Sequence, residues 1–156
     1  MNMKKIISIL ALAIFTLTGT SCLKSNLNLD TYDGKDITSI VGVYYRYLGD
    51  NVIPASGEKE VRQVTLSVSD VAIDTKAGTV SANVTLPSNF PEAQKASIDA
   101  TKLCVVVGIS TAAVIEPTGN SPKLGLPGDW SKENTYKITA ADNSTKDWKI
   151  KINFSK

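Results

Sequence analysis

The 156-residue chain contains no histidine. That excludes Ser-His-Asp and Cys-His catalysis and the usual zinc sites. It also removes the side chain best suited to act as a general base near neutral pH. Cysteine is scarce: Cys22 and Cys104 are the only two, so no disulfide framework organises the fold. Long apolar runs are missing as well. The longest, Ile6 to Leu17, is broken by Ser8 and Thr16 and falls short of the roughly 20 residues a membrane-spanning helix needs. Excess charge is also lacking. The formal net charge is +2, and Lys4 and Lys5 account for it, because no acidic residue precedes Cys22. From Cys22 onward the chain is neutral, which argues against nucleic acid as a partner. No dense Asp/Asn run points to calcium, so no metal site is assigned. Asp129, Asp142, Asn143 and Asp147 read as turn oxygens. Glu58, Glu60, Glu92, Glu116 and Glu133 show no paired spacing of the glycosidase kind.

What is present begins with an address. Residues 1–21 run from a lysine pair through an apolar stretch to the small residues Gly19, Thr20 and Ser21, the order of a secretory signal. Cys22 stands at the cleavage point, where bacterial lipoproteins are acylated. Several acyl chains on Cys22 would anchor the protein to a membrane, each buried CH₂ adding about 0.8 kcal/mol. Gly19 stands where most lipoboxes carry leucine. Residues 22–35 then read as the lipidated cysteine and a polar, turn-rich tether. Cys104, within the apolar run LCVVVGI, reads as a buried hydrophobe and not as a reactive thiol.

Residues 36–156 alternate with period two. Ile37–Leu48 is rich in β-branched and aromatic residues and predicts a first strand, followed by a loop over residues 50–59. In VRQVTLSVSDVAID the apolar phase changes after Val68, which predicts a bulge near Ser69–Asp70. This run and the strand from Val80 to Leu86 form an antiparallel hairpin. Residues 87–102 predict at most a helical turn. Leu103–Ile109 is continuously apolar, the pattern of a central, fully buried strand. A short strand over 111–117 and a Pro/Gly-punctuated loop over 118–132 follow. The chain ends in two alternating strands joined by AADNSTKD, in which Asn143 takes positive φ. About seven short strands and no long helix predict an all-β fold, a single antiparallel β-sandwich.

The segments SCLKS, DITSIVGVYYRY, ISTAAVIEP and GDWSKENTYKITAADNSTKDWKIKI together resemble Bacteroidetes lipoproteins of unknown function that carry a bacterial immunoglobulin-like sandwich. Tyr136, Ala140, Asp142, Thr145, Lys146 and Trp148 match the usual ending of that group, with Asn143 in place of its glycine. The resemblance implies an immunoglobulin-like domain and a lipid-anchored place in the cell envelope, at the outer membrane. It also implies a glycan-binding accessory beside an uptake complex, or an adhesin. Surface display and a periplasm-facing position both stay open, since no acidic run follows Cys22. No catalytic residue or cofactor is carried over, and the chain is read as a non-enzyme.

Aromatic rings are the usual platforms for sugars, because sugar C–H faces pack on ring faces. Trp130, in the loop PGDWSKEN, is the first candidate, with a lid packed on the sandwich end as the alternative. Tyr45 and Tyr47 share one strand face, with Tyr44 on the other, and are the second candidates; core and edge positions are the alternative. Trp148 is in phase with Ile150 and Ile152 and reads as core. The functional expectation is a non-catalytic, membrane-anchored module for a polysaccharide or a partner protein. The alternative is a structural or adhesive subunit that makes protein contacts through its sheet edges.

Overall fold

The computed structural model describes residues 31–156. The expected signal segment and the expected lipidation site at Cys22 lie outside the described residues. Eight strands are present among the described residues: β1 (Ile37–Val52), β2 (Lys59–Thr65), β3 (Ser67–Asp74), β4 (Thr79–Thr85), β5 (Leu103–Ile109), β6 (Val114–Pro117), β7 (Asn134–Thr139) and β8 (Thr145–Ser155). They form two sheets, ordered β2-β1-β5 and β3-β4-β8-β7-β6. The inward side chains of both sheets build one core: Val43 and Tyr45 from β1, Leu103 and Val105 from β5, Val80 and Val84 from β4, and Tyr136, Trp148 and Ile150 from β7 and β8. Each large side chain buried in this way contributes about 1.5–3 kcal/mol. The all-β sandwich follows directly from the period-two pattern.

The strand count exceeds the expected seven because the run from residue 61 to 74 is two strands in two sheets. Leu66 sits between them, 3% exposed, and its amide donates to the Val43 carbonyl (2.8 Å) as the chain crosses over. Only β3 pairs with β4 in the expected hairpin; β2 pairs with β1. The bulge lies where the phase change placed it, with the register shift between Ser69 and Ala72 and Asp70 at φ 50°. The bulge repairs the phase change where it occurs, whereas the change of sheet at Leu66 falls within the unbroken alternation of Val64, Leu66 and Val68.

Three further points differ from the sequence reading. β1 runs on to Val52, so the loop shrinks to residues 53–58 and a hairpin arm results. β5 is an edge strand and not a central one. Its apolar character is explained by the 118–132 loop, whose Gly125 and Gly128 amides donate to the Val105 (2.8 Å) and Leu103 (3.0 Å) carbonyls. A covered edge needs the same residues as a central strand. Finally, β4 and β8 pair in parallel, the exception among antiparallel pairings, because the chain visits the other sheet between them.

The C-terminal hairpin follows the sequence reading closely. Asn143 has φ 67°, and the turn is fixed by Asn143 N–H to Ala140 O (3.0 Å) and Ser144 N–H to Asp142 Oδ1 (2.8 Å). Trp148 is wholly buried, and its Nε1–H donates to the Lys35 carbonyl (2.9 Å). The Lys146 ammonium lies 4.7 Å from the Trp148 ring centre and pairs with Asp36 at 2.6 Å. The segment just before β1 therefore closes that end of the core. Residues 92–94 and 100–102 form single 3₁₀ turns.

Candidate binding surfaces

The three candidate aromatic residues are not brought together. Trp130 is 0% exposed and stacks on Tyr136, ring centres 6.1 Å apart and 13° between planes. Its amide donates to Ala100 O (2.8 Å), which folds the PGDWSKEN loop over the core. The expectation of a sugar platform on Trp130 is corrected: an indole enclosed on all sides has no free face. A loop residue becomes core here because the loop crosses the end of the sandwich, where an aromatic plug excludes water.

Tyr45 is also buried, against Phe90 (5.9 Å) on one side and Tyr47 (5.9 Å, 18° between planes) on the other. It supports a site without reaching one. Tyr47 is half-buried and marks the point where the core face of β1 emerges onto the arm. Cross-strand pairing places Arg62 opposite Tyr47. Period two puts Glu60 on the same face as Arg62, and the two side chains meet at 2.5 Å (Arg62 Nε to Glu60 Oε1). Asn51 Nδ2 also donates to Glu60 Oε1 (3.1 Å). Gly49 lies beneath, where a Cβ would stand 2.6 Å from Glu60 Oε1. The Glu60 interaction raises the Arg62 guanidinium further above its ordinary value, so it stays charged. The result is one aromatic ring edged by a guanidinium, a carboxylate and a carboxamide, the set that stacks on and hydrogen-bonds to polyols. Arg62, Glu60 and Asn51 were missed in the sequence. Their signal was the phase of Val64, Arg62 and Glu60 matched against Tyr45 and Tyr47, readable only once the hairpin turn is placed at residues 53–58.

A concavity of about 480 Å³ lies across the outer face of β7 and β8, its lining including Thr118, Thr135, Lys137, Asp147, Trp148 and Lys149. Some of its polar groups are already paired. Thr118 Oγ1 donates to Thr135 Oγ1 (2.7 Å), Glu133 pairs with Lys149 (3.3 Å), and Asp147 stands opposite Lys137 in the register. It offers a ligand no exposed aromatic face.

Asp99, Asp129 and Asp142 serve turns. Asp99 Oδ1 accepts from Thr101 N–H (2.8 Å) and Oγ1–H (2.5 Å), and Asp129 Oδ1 accepts from Ser131 N–H (2.9 Å) and Oγ–H (2.5 Å). These bonds lower both carboxyl pKa values below the ordinary 3.8. Ser144 does the same for Asp142. Depressed carboxyls suit neither partner of an acid–base pair that needs a proton at neutral pH. A carboxyl depressed in the folded state adds stability that is complete above its unfolded value and is lost as pH falls through the folded value. The melting temperature is therefore expected to hold steady above about pH 5 and to fall below about pH 4. Replacing Asp99, Asp129 and Asp142 together by Asn should flatten that acid limb in a pH series of thermal melts. An unchanged limb would assign the acid sensitivity to other groups.

Burial raises the Cys104 thiol pKa, consistent with a thiol that serves packing. Among the described residues no cluster of three metal-ligating side chains occurs, and no helix is long and apolar enough to cross a membrane.

A family model described as DUF5018-related matches residues 37–151. A crystal structure from Bacteroides fragilis, described as that of "a putative secreted protein", superposes with a TM-score of 0.71 at 34% identity, covering 81% of this chain and 99% of that one. No curated protein matches. Neither matching description names a catalytic activity. The match spans all eight strands except the last residues of β8, and on it the chain belongs to the DUF5018-related family.

Proposed function

We propose that this protein is a non-catalytic binding module of the bacterial cell envelope, anchored through acyl chains on Cys22, with a polysaccharide as its ligand. The observation that carries this reading is Tyr47. It is a half-buried ring at the base of the β1–β2 hairpin, stacked on Tyr45, with Arg62 as its cross-strand neighbour and Glu60 and Asn51 in the same hydrogen-bonded group. A ring held rigid from behind loses little freedom when a sugar stacks on it. The similarity to a Bacteroides protein described as secreted supports an envelope or extracellular setting. The order of residues 1–22 supports lipid anchoring, and the outer membrane is what the resemblance to Bacteroidetes lipoproteins implies. The two-sheet architecture supports the immunoglobulin-like assignment.

Isothermal titration against plant, host and microbial polysaccharides tests this. Binding by the wild type that weakens about tenfold in Tyr47→Ala, in a variant that is still folded at the assay temperature, is the expected outcome. Binding that is indifferent to Tyr47 would remove the site. Absence of binding across the panel would remove the polysaccharide and favour the reading as a subunit that makes protein contacts.

A further inference from the structure

The sandwich has four sheet edges, and three are blunted. β5 is covered by the loop that donates from Gly125 and Gly128. β6 is four residues long and ends at Pro117. β3 is broken by the bulge at Asp70. Each is a known way of preventing edge-to-edge pairing. β2 carries none of these devices. It runs for seven residues without a glycine or proline, it is the outermost strand of its sheet, and among the described residues nothing pairs with its outer side.

The β2 sequence, Lys-Glu-Val-Arg-Gln-Val-Thr, is charged in a particular order. An antiparallel pair of two such strands centred on Val61 sets Glu60 of each copy opposite Arg62 of the other. It also sets Lys59 opposite Gln63. Centring on Glu60 or on Arg62 would oppose like charges, which is unfavourable. The Val61-centred register is thus self-complementary, as a two-fold interface requires. The apolar side chains agree. Leu48 and Val61 are cross-strand neighbours on the outer face, 62% and 66% exposed. Two-fold pairing would join them to the same residues of the second copy as one continuous apolar strip.

We propose that β2 is a homodimerisation edge: two copies join antiparallel about Val61 and merge their three-stranded sheets into one of six strands. The occupant of the edge is a second copy of this chain. This goes beyond the polysaccharide reading, and its readout is assembly and not ligand binding.

The test uses the full chain in detergent micelles. Val61→Cys places two thiols directly opposite, at a Cα separation of about 4.5–5.5 Å, within disulfide reach. Mild oxidation should give a covalent dimer on a non-reducing gel, above the background that wild type shows. Val71→Cys, also exposed but on β3, should stay at that background. Glu60→Arg and Arg62→Glu should each weaken the dimer at least tenfold in sedimentation equilibrium, with melting curves unchanged. Mixing the two variants should restore it as a heterodimer, because each then supplies the charges the other lacks. A Val61→Cys chain that crosslinks no more than wild type, or a mixture that stays monomeric, would overturn the proposal. So would a Val61→Cys chain that crosslinks to a different protein in preference to itself.

Discussion

Trp130→Ala is expected to destabilise the protein by about 3–5 kcal/mol, the cost of removing a large buried aromatic from a packed core. Trp130 is 0% exposed and stacked on Tyr136, whose hydroxyl in turn donates to the Pro122 carbonyl (2.7 Å). Truncation would open a void at the sandwich end and leave the 118–132 loop, which covers the β5 edge, without its plug. For a domain of this size the melting temperature should fall by roughly 10–20 °C. Trp130→Phe separates packing from hydrogen bonding. Among the described residues Nε1 of Trp130 has no partner, so phenylalanine forfeits no bond and should cost only about 1–2 kcal/mol. Chemical denaturation of both variants measures this. A wild-type midpoint in Trp130→Ala would mean that the ring is not part of the packed core and is again available as a ligand platform.

Gly78→Ala should be nearly as damaging, for a backbone reason. Gly78 has φ 67°, and an added Cβ would lie 2.6 Å from the Asp147 carbonyl oxygen of β8. The same glycine accepts the Lys149 amide (2.9 Å) through its own carbonyl, so it cannot withdraw without breaking the link between the β3–β4 turn and β8. Left-handed backbone costs a residue with a Cβ about 1–2 kcal/mol, and displacing β8 adds about 1–3 kcal/mol. Gly119 is the control: its φ is 59°, but a Cβ added there would meet nothing within 4 Å. Gly119→Ala should therefore show the conformational cost alone, about 1–2 kcal/mol. Equal urea midpoints for the two variants would mean that the Asp147 carbonyl imposes no steric cost.

Both results bear on how much of this molecule could be read from its residues. The C-terminal hairpin was legible down to the positive φ of Asn143, because period two, a polar turn and a residue tolerant of that geometry are all local. The bulge at Asp70 was legible for the same reason: a phase change must be repaired where it occurs. The cover over β5 was not, since the amides of Gly125 and Gly128 reach it from a loop far along the chain, and burial by a loop leaves the same apolar run as burial by a strand. For Trp130 the sequence left both a ligand platform and a lid on the sandwich end open, and the structure gives the lid. The neighbours of Trp130 are loop-like, and only the path of the loop over the core reveals the enclosure.

By itself, the sequence determined the all-β class, the inward and outward faces of most strands, and the absence of histidine chemistry, because side-chain periodicity and residue type are properties of the chain alone. The tertiary structure decided the rest. It split residues 59–74 between two sheets, made the β4–β8 pair parallel, enclosed Trp130, set Arg62 and Glu60 beside Tyr47, and left β2 as the uncovered edge. Each of these depends on which distant segments meet, and the spacing of residues along a strand carries no record of that.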